Sequence, residues 1–358
     1  MDKAREFRLL VSCCRSSFRG AGRYDIGELA EPIDWPLFLR LARFHRVQGL
    51  AWKCLSAQAT MPSEIAQALA KDALAIAGSN LVAATEARNL MSDFDEANVP
   101  LLFLKGLPVG ILAYGNPALK SGVDIDLLVD LADLDTAGEL LRRRGYALVV
   151  PKLSRRQSLG RWHAIRKESL WVDPRSGTHV DLHTKVADNP MILPGVGLNS
   201  PARLLDIGNG ISLPTLGPTE TFAYLAVHGA SSAWFRLKWI SDFAALLANA
   251  SGPEVEDLYR HSLDLGAGRA PGQALLLADR LFTALQNNAA LKAELLADRA
   301  AHRLYRAALK QLAGRSEPIE PTSTRLGTMR IHWTQLLLLP GLDFKISELV
   351  RQARSAFA

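Results

Sequence analysis

Two aspartates, Asp124 and Asp126, stand in the run Lys120-Ser121-Gly122-Val123-Asp124-Ile125-Asp126-Leu127-Leu128-Val129. Val123, Ile125, Leu127 and Val129 alternate with them, as on a strand with one apolar face. Residues two apart on a strand point the same way and lie about 6.5–7 Å apart. Two carboxylates at that separation repel by about 2.5 kcal/mol at an effective dielectric near about 20. A half-buried strand tolerates this when a cation sits between them. A hard divalent ion, Mg²⁺ or Mn²⁺, bound by carboxylates and substrate phosphates, meets that need. The plainer reading is an acidic face turned to water, and Leu128 on that same face argues against it.

A third carboxylate comes from His179-Val180-Asp181-Leu182-His183. Here Val180 and Leu182 form the apolar face, and His179, Asp181 and His183 share the other. A zinc site from those three is the weaker reading, because three alternating ligands on one strand suit a tetrahedral ion poorly. Asp181 added to Asp124 and Asp126 makes an acidic cluster able to clamp metal ions at a phosphoryl or nucleotidyl transfer. Lys105-Gly106 ends a short apolar strand ahead of a helix, where Gly allows close backbone approach and a helix start favours anions. Lys238 and Asp242, four apart on a later helix, read either as a surface pair or as a phosphate-binding lysine with its partner. His228, Trp234 and Trp239 read as structural.

These residues need a strand-rich centre with helices around it. Residues 1–95 read as helical: Leu37, Leu41 and Phe44 recur at helical spacing, and an Ala-rich stretch runs from Ser63 to about Asn98. Residues 96–190 alternate strands and helices. Strands are expected at 100–103, across the acidic run, at 164–173 and at 178–186. Helices are expected at 108–114 and at 134–144, the latter capped by Asp133. Arg142, Arg143 and Arg144 then fall in its last turn, which suits dipole compensation on a solvated face. Residues 190–217, rich in Gly and Pro, read as an extended connection; residues 191–315 form a C-terminal helical domain. The tail 316–358, with Pro318, Pro321 and Gly327, ends in a helix from about Phe344. The expected fold class is α+β, a small mixed sheet flanked by helical regions. A dinucleotide-binding unit lacks support, since Gly106 is followed by Leu107-Pro108 with no Gly-x-Gly-x-x-Gly.

Bulk composition is ordinary for a folded soluble protein: 358 residues, 48% hydrophobic, net charge +6. The mild basicity suits an anionic substrate, and no basic stripe with interleaved aromatics marks a nucleic-acid binder. Cys13, Cys14 and Cys54 show neither metal spacing nor a disulfide framework. No run approaches a membrane span, and the apolar stretch before Cys13 is too short for a signal core. A cytoplasmic location is expected.

Taken in order, several motifs resemble one family. They are Leu104-Lys105-Gly106, Tyr114-Gly115-Asn116-Pro117, Val123 to Val129, Gly145-Tyr146, Val180-Asp181-Leu182-His183 and Arg236-Leu237-Lys238-Trp239-Ile240-Ser241-Asp242. Together with His45-Arg46-Val47, this set is similar to the uncharacterised bacterial nucleotidyltransferase family of the polymerase-beta-like superfamily, over roughly residues 35–290. The resemblance implies a nucleotidyltransferase core that binds a nucleoside triphosphate through divalent metal. Asp124 and Asp126 would hold metal on the triphosphate, and Asp181 would help hold a second metal and activate the acceptor hydroxyl. Lys105, Gly106, Lys120, Lys238 and Asp242 would form the nucleotide-binding wall. The sequence departs from the wider pattern in having Lys105-Gly106 in place of Gly-Ser, and Lys120 where relatives commonly carry Arg, which loses bidentate phosphate geometry.

The expected activity is Mg²⁺-dependent transfer of a nucleoside monophosphate to a hydroxyl or phosphate, releasing pyrophosphate. The acceptor, a small molecule, peptide or protein, is not named by any residue. Two other classes stand beside it: a nucleotide-binding scaffold without catalysis, as the missing Gly-Ser would allow, and a nucleic-acid-modifying protein.

Overall fold

The computed structural model describes residues 5–19, 32–57, 61–122, 124–153, 158–208, 210–313 and 328–356. Val123 and the tail residues Pro318, Pro321 and Gly327 lie outside them. The chain opens with helices α1 (Arg5–Ser16), α2 (Trp35–His45), α3 (Gln48–Leu55) and the 34-residue α4 (Ser63–Glu96). Strand β1 (Leu102–Phe103), helix α5 (Leu107–Tyr114) and strand β2 (Asp124–Leu128) follow. Helix α6 (Leu134–Arg143), β3 (Ala147–Val150), α7 (Leu159–Ile165), β4 (Glu168–Val172) and β5 (His179–His183) complete the central region. A hairpin, β6 (Ala202–Asp206) with β7 (Ser212–Leu216), leads into the C-terminal helices. These are α8 (Pro218–Ser231), α9 (Leu237–Leu246), α10 (Gly252–Asp264), α11 (Ala270–Phe282), α12 (Ala289–Ala297), α13 (Arg299–Ala313), α14 (Met329–Gln335) and α15 (Leu342–Ala356). The fold is α+β, and no helix among the described residues is long and apolar enough to cross a membrane.

The central sheet has the order β1-β2-β5-β4-β3. Only β2 and β5 run parallel, so the sheet is mixed. Their register pairs Asp124 with His179, Asp126 with Asp181 and Leu128 with His183. Alternation then sorts side chains by face. Ile125, Leu127, Val180, Leu182 and Trp171 bury themselves against Leu90 and Phe94 of α4 and Ala137 and Leu141 of α6. The opposite face carries the acidic residues, and the Tyr224 hydroxyl of α8 feels the charges of Lys105 and Asp126 there. There Leu128 joins a larger core containing Leu10, Leu41 and Leu50 from α1–α3, Val109 from α5, Tyr224 from α8, Ile240 from α9 and Leu275 from α11. The N-terminal and C-terminal helices thus bury one another.

Several local expectations give way. The stretch expected to be an extended connection contains the β6–β7 hairpin, whose turn uses Gly208 and Gly210 at φ of 99° and 72°. It is anchored by Thr215 Oγ1 donating to the Phe103 carbonyl at 2.6 Å. Residues 159–165 are helical, with Ser158 accepting from the Arg161 amide at 3.3 Å, so the following strand begins only at Glu168. Asp133 makes no cap; Asp130 accepts from the Ala132 amide at 2.8 Å and opens a 3₁₀ turn that runs into α6. β3 and α14 had no clear signal in the sequence.

Arg144 differs most. Its guanidinium grips Glu86 through two bonds of 2.9 and 2.8 Å and Asp93 through one of 2.9 Å. Tyr146 adds a 3.1 Å bond to Glu86. This residue clamps α4 to the sheet. Arg142 lies over the Trp171 ring at 5.2 Å. Arg142 and Arg143 keep the expected solvated face, 51% and 72% exposed beside Glu139.

Candidate active site

Three pieces of backbone bring the polar residues to one sheet face. β2 supplies Asp124 and Asp126, β5 supplies His179, Asp181 and His183, and β4 supplies Glu168. Asp126 and Asp181 are direct neighbours across the parallel pair. With His183 they offer ligand atoms that all lie within 4.8 Å of one another. Asp124 stands one repeat up the same face, about one-third exposed, with the His179 Nδ1 at 3.5 Å. The structure therefore gathers Asp126 and Asp181 at the centre and sets Asp124 on the rim.

His183 entered the sequence reading only through the weaker zinc set. It is fully buried, and its Nε2 lies 3.2 Å from Asp126 Oδ1 and 3.3 Å from Glu168 Oε2. Its Nδ1 is buried and finds no partner among the described residues. Burial and the Lys167 cation hold its pKa below the usual histidine range. The clue was available: alternation puts residue 183 on the same face as residue 181. Glu168 and Lys167 gave no such clue, since a Lys-Glu pair at a strand start is ordinary surface sequence.

The electrostatics are those of a compact charged interior. Lys105 pairs with the buried Asp126, and Lys167 pairs with Glu168. Burial works against the Lys105 charge, yet Asp126, with Asp181 and Glu168 beyond it, holds the ammonium well above its usual pKa. Burial likewise opposes the Asp126 charge, but Lys105 and His183 keep it ionised, below the usual carboxylate range. Asp181 is pushed up to about 7, by burial first and by the Asp126 charge next. Two carboxylates side by side thus divide their roles: one is firmly charged and the other is poised near neutrality. Tyr224, on α8 above them, has a buried hydroxyl without a partner among the described residues, and burial pushes its pKa up to about 12.

Gly106 precedes α5 with φ of 71°, and a Cβ there would come within 3.3 Å of the Asp124 carbonyl. A side chain is therefore strained on two counts. Lys120 is 7% exposed and gives its ammonium to Asp242 at 2.8 Å. Asp242 also accepts from the Tyr114 hydroxyl at 2.9 Å. The surface pairing of Lys238 with Asp242 is thus replaced: Lys238 turns to the Ser121 carbonyl at 2.9 Å. Burial and the nearby Lys120 cation lower the Lys238 pKa to about 7. Helix α9, which carries Lys238 and Asp242, is fixed from the N-terminal region. The Leu237 amide donates to His45 Nδ1 at 3.2 Å, and Arg236 donates to the Phe44 carbonyl. Burial and Arg236 bring the His45 pKa down to about 3, so it stays a neutral acceptor. That is the physical content of His45-Arg46-Val47.

Lys105, Gly106, Lys120, Asp124, Asp126, His228, Lys238 and Asp242 all border one cleft of about 40 Å³. A buried and a half-buried carboxylate with a histidine nitrogen beside them form a donor set compatible with a divalent metal. No curated protein was found to match the chain. The profile of a family described as uncharacterised nucleotidyltransferase matches residues 31–283. That span takes in the His45 motif, the acidic strand, Asp181 and α9, and the chain belongs to this family of nucleotidyltransferases.

Proposed function

We propose that the protein is a divalent-metal-dependent nucleotidyltransferase that moves a nucleoside monophosphate from a triphosphate to an acceptor hydroxyl. The observation that carries this is the meeting of Asp126 and Asp181 across parallel strands, beside Lys105-Gly106, in a chain of this family. Asp126, Asp181 and His183, with Asp124 at the rim, are the residues that would hold the metal. Mg²⁺ or Mn²⁺ bound there would neutralise phosphate charge and orient the triphosphate.

The chain's own groups divide the remaining tasks. The cleft has room for a phosphate group, so the nucleoside extends outward past Asp124. Lys105 and Lys238 face the phosphates, and the Lys120–Asp242 pair keeps the wall of the cleft in place. Gly106 lets backbone approach the phosphate closely. Asp181 takes the proton of the attacking hydroxyl. The hydroxyl oxygen bonds to the α-phosphorus, the bond to the bridging oxygen breaks, and its electron pair leaves with pyrophosphate. Catalysis of this kind is mostly positioning and charge neutralisation.

Replacing Asp124 or Asp181 with Asn should remove Mg–ATP affinity measured by calorimetry. Asp126→Asn should do the same, but it also strips the buried Lys105 of its partner, so its melting must be recorded alongside. Unchanged affinity in all of these variants would sink the reading. One contact favours a second reading, a nucleotide-binding protein without catalysis: Lys105 already neutralises Asp126. A thermal shift with ATP, but no pyrophosphate release with any acceptor, would favour that alternative.

A further inference from the structure

A second cavity, of about 210 Å³, borders the charged centre at Lys167 and Glu168. His228 borders both it and the Lys105–Asp126 cleft. Lys167 and Glu168 form another part of its wall, and Glu168 reaches His183 at 3.3 Å. The cavity therefore ends at the groups that surround the reacting centre. Its far wall comes from α14 and α15, through Gln335, Glu348 and Arg351. Resting on the nucleotidyl-transfer reading, we infer that this cavity is the acceptor subsite, and that it takes a small, hydroxyl-rich molecule carrying no phosphate.

Size comes first. The cavity is smaller than the roughly 300–1,000 Å³ of sites for drug-sized ligands. A single-ring polyol fits that scale; a peptide or a nucleic acid does not. Charge comes second. Both cations in the wall are committed. Lys167 is paired with Glu168. Arg351 donates to Glu348 at 2.9 Å and to the Gln335 side chain at 3.0 Å, with Asp188 at 3.6 Å. Glu348 is also held by Asn189 at 2.9 Å. Among the described residues acids outnumber bases in the wall, with Glu168, Asp188 and Glu348 against Lys167 and Arg351. Among the described residues, an incoming phosphate would meet surplus negative charge and no cation left over for it. Hydroxyls can both donate to these carboxylates and accept from the amides.

In the transfer, the acceptor oxygen enters from this side and bonds to the α-phosphorus. Its proton passes to Asp181, and pyrophosphate leaves with the electron pair of the broken bond. His228, held neutral by burial and the neighbouring Lys105 charge, sits where the acceptor passes from cavity to cleft.

The test pairs neutral polyols with their phosphates: glucose, galactose, myo-inositol and glycerol beside glucose 6-phosphate, galactose 1-phosphate, inositol 1-phosphate and glycerol 3-phosphate. Pyrophosphate release from Mg–ATP is measured with the full-length protein and with Ser231→Trp, which fills the cavity from α8. Mg–ATP affinity is measured on both by calorimetry. A several-fold stimulation by a neutral member, absent with its phosphate and lost in Ser231→Trp at unchanged ATP affinity, is the expected result. Stimulation by the phosphates, stimulation that survives Ser231→Trp, or ATP binding with no stimulation by any polyol overturns the assignment alone. Absence of Mg–ATP binding to the unaltered protein overturns instead the reading on which it rests.

Discussion

Lys238 shows how one half-buried side chain links site chemistry to pH. Its pKa falls to about 7 because burial disfavours the ammonium and Lys120 repels it. In the unfolded chain a lysine titrates near about 10.4. Between these values the folded protein binds fewer protons than the unfolded one, so this residue's contribution to stability rises with pH through that window. A triphosphate in the cleft brings negative charge to Lys238 and restores its proton. ATP binding at about pH 8 should therefore take up close to one proton, seen as a binding heat that varies with the ionisation enthalpy of the buffer. Lys238→Met should abolish that dependence; a dependence that persists would place the proton elsewhere. At this scale much of the site was legible. Asp124, Asp126 and Asp181 stand out because a carboxylate every second residue on an apolar strand has few structural uses. His183 was hidden by being read as part of a zinc set on its own strand, although its nitrogen faces Asp126 on the neighbouring one. Lys120 and Asp242 were recognisable as charged residues in the right motifs. Their mutual burial was not, since it depends on α9 packing against α5, more than 100 residues away, as the Tyr114–Asp242 separation of 128 shows.

The elements that carry the site are held by a few polar clamps as well as by apolar packing. Helix α4 buries Ala83, Ala87, Leu90 and Phe94 on one face, a spacing that repeats every three to four residues. Arg144 then locks that helix at Glu86 and Asp93. Arg144→Met should cost about 2–3 kcal/mol in chemical unfolding, because charged hydrogen bonds are lost and two acids keep no partner of that kind. Amide exchange along residues 83–96 should quicken more than exchange in β2 or β5. Uniform protection across all of these would show that packing alone holds α4. The helices were readable from periodicity, and β2 and β5 from alternation. The β6–β7 hairpin was masked by Pro201, Pro214, Gly208 and Gly210, which are loop residues in most settings. Its alternation is visible only once Leu213 is seen in the core and Leu204 in water. The order β1-β2-β5-β4-β3 could not be read from spacing, because β2 takes its partner from beyond two intervening strands.

Across the whole molecule, the N-terminal helices do not form a separate body. Phe18 packs on Phe282 with ring centres 5.2 Å apart, and His45 with Phe44 holds the start of α9. Residues 61–358 expressed alone should expose the faces of α9 and α11 that α1–α3 cover, bind a hydrophobic dye and melt without cooperativity. A sharp melt with no dye binding would show that the C-terminal part is self-sufficient. The same arrangement links the site to distant sequence: a neutral His45 accepts from the start of the helix that bears Lys238 and Asp242.

The bond from Arg236 back to Phe44 spans 192 residues. On a ribosome moving at about 5–20 residues per second, the first helices wait about 10–40 s for the partners that bury them. During that interval Leu10, Leu41 and Leu50, all sealed in the finished protein, lie open on the nascent chain. The yield of active protein is therefore set as much by what shelters that early apolar surface during synthesis as by the stability of the completed fold.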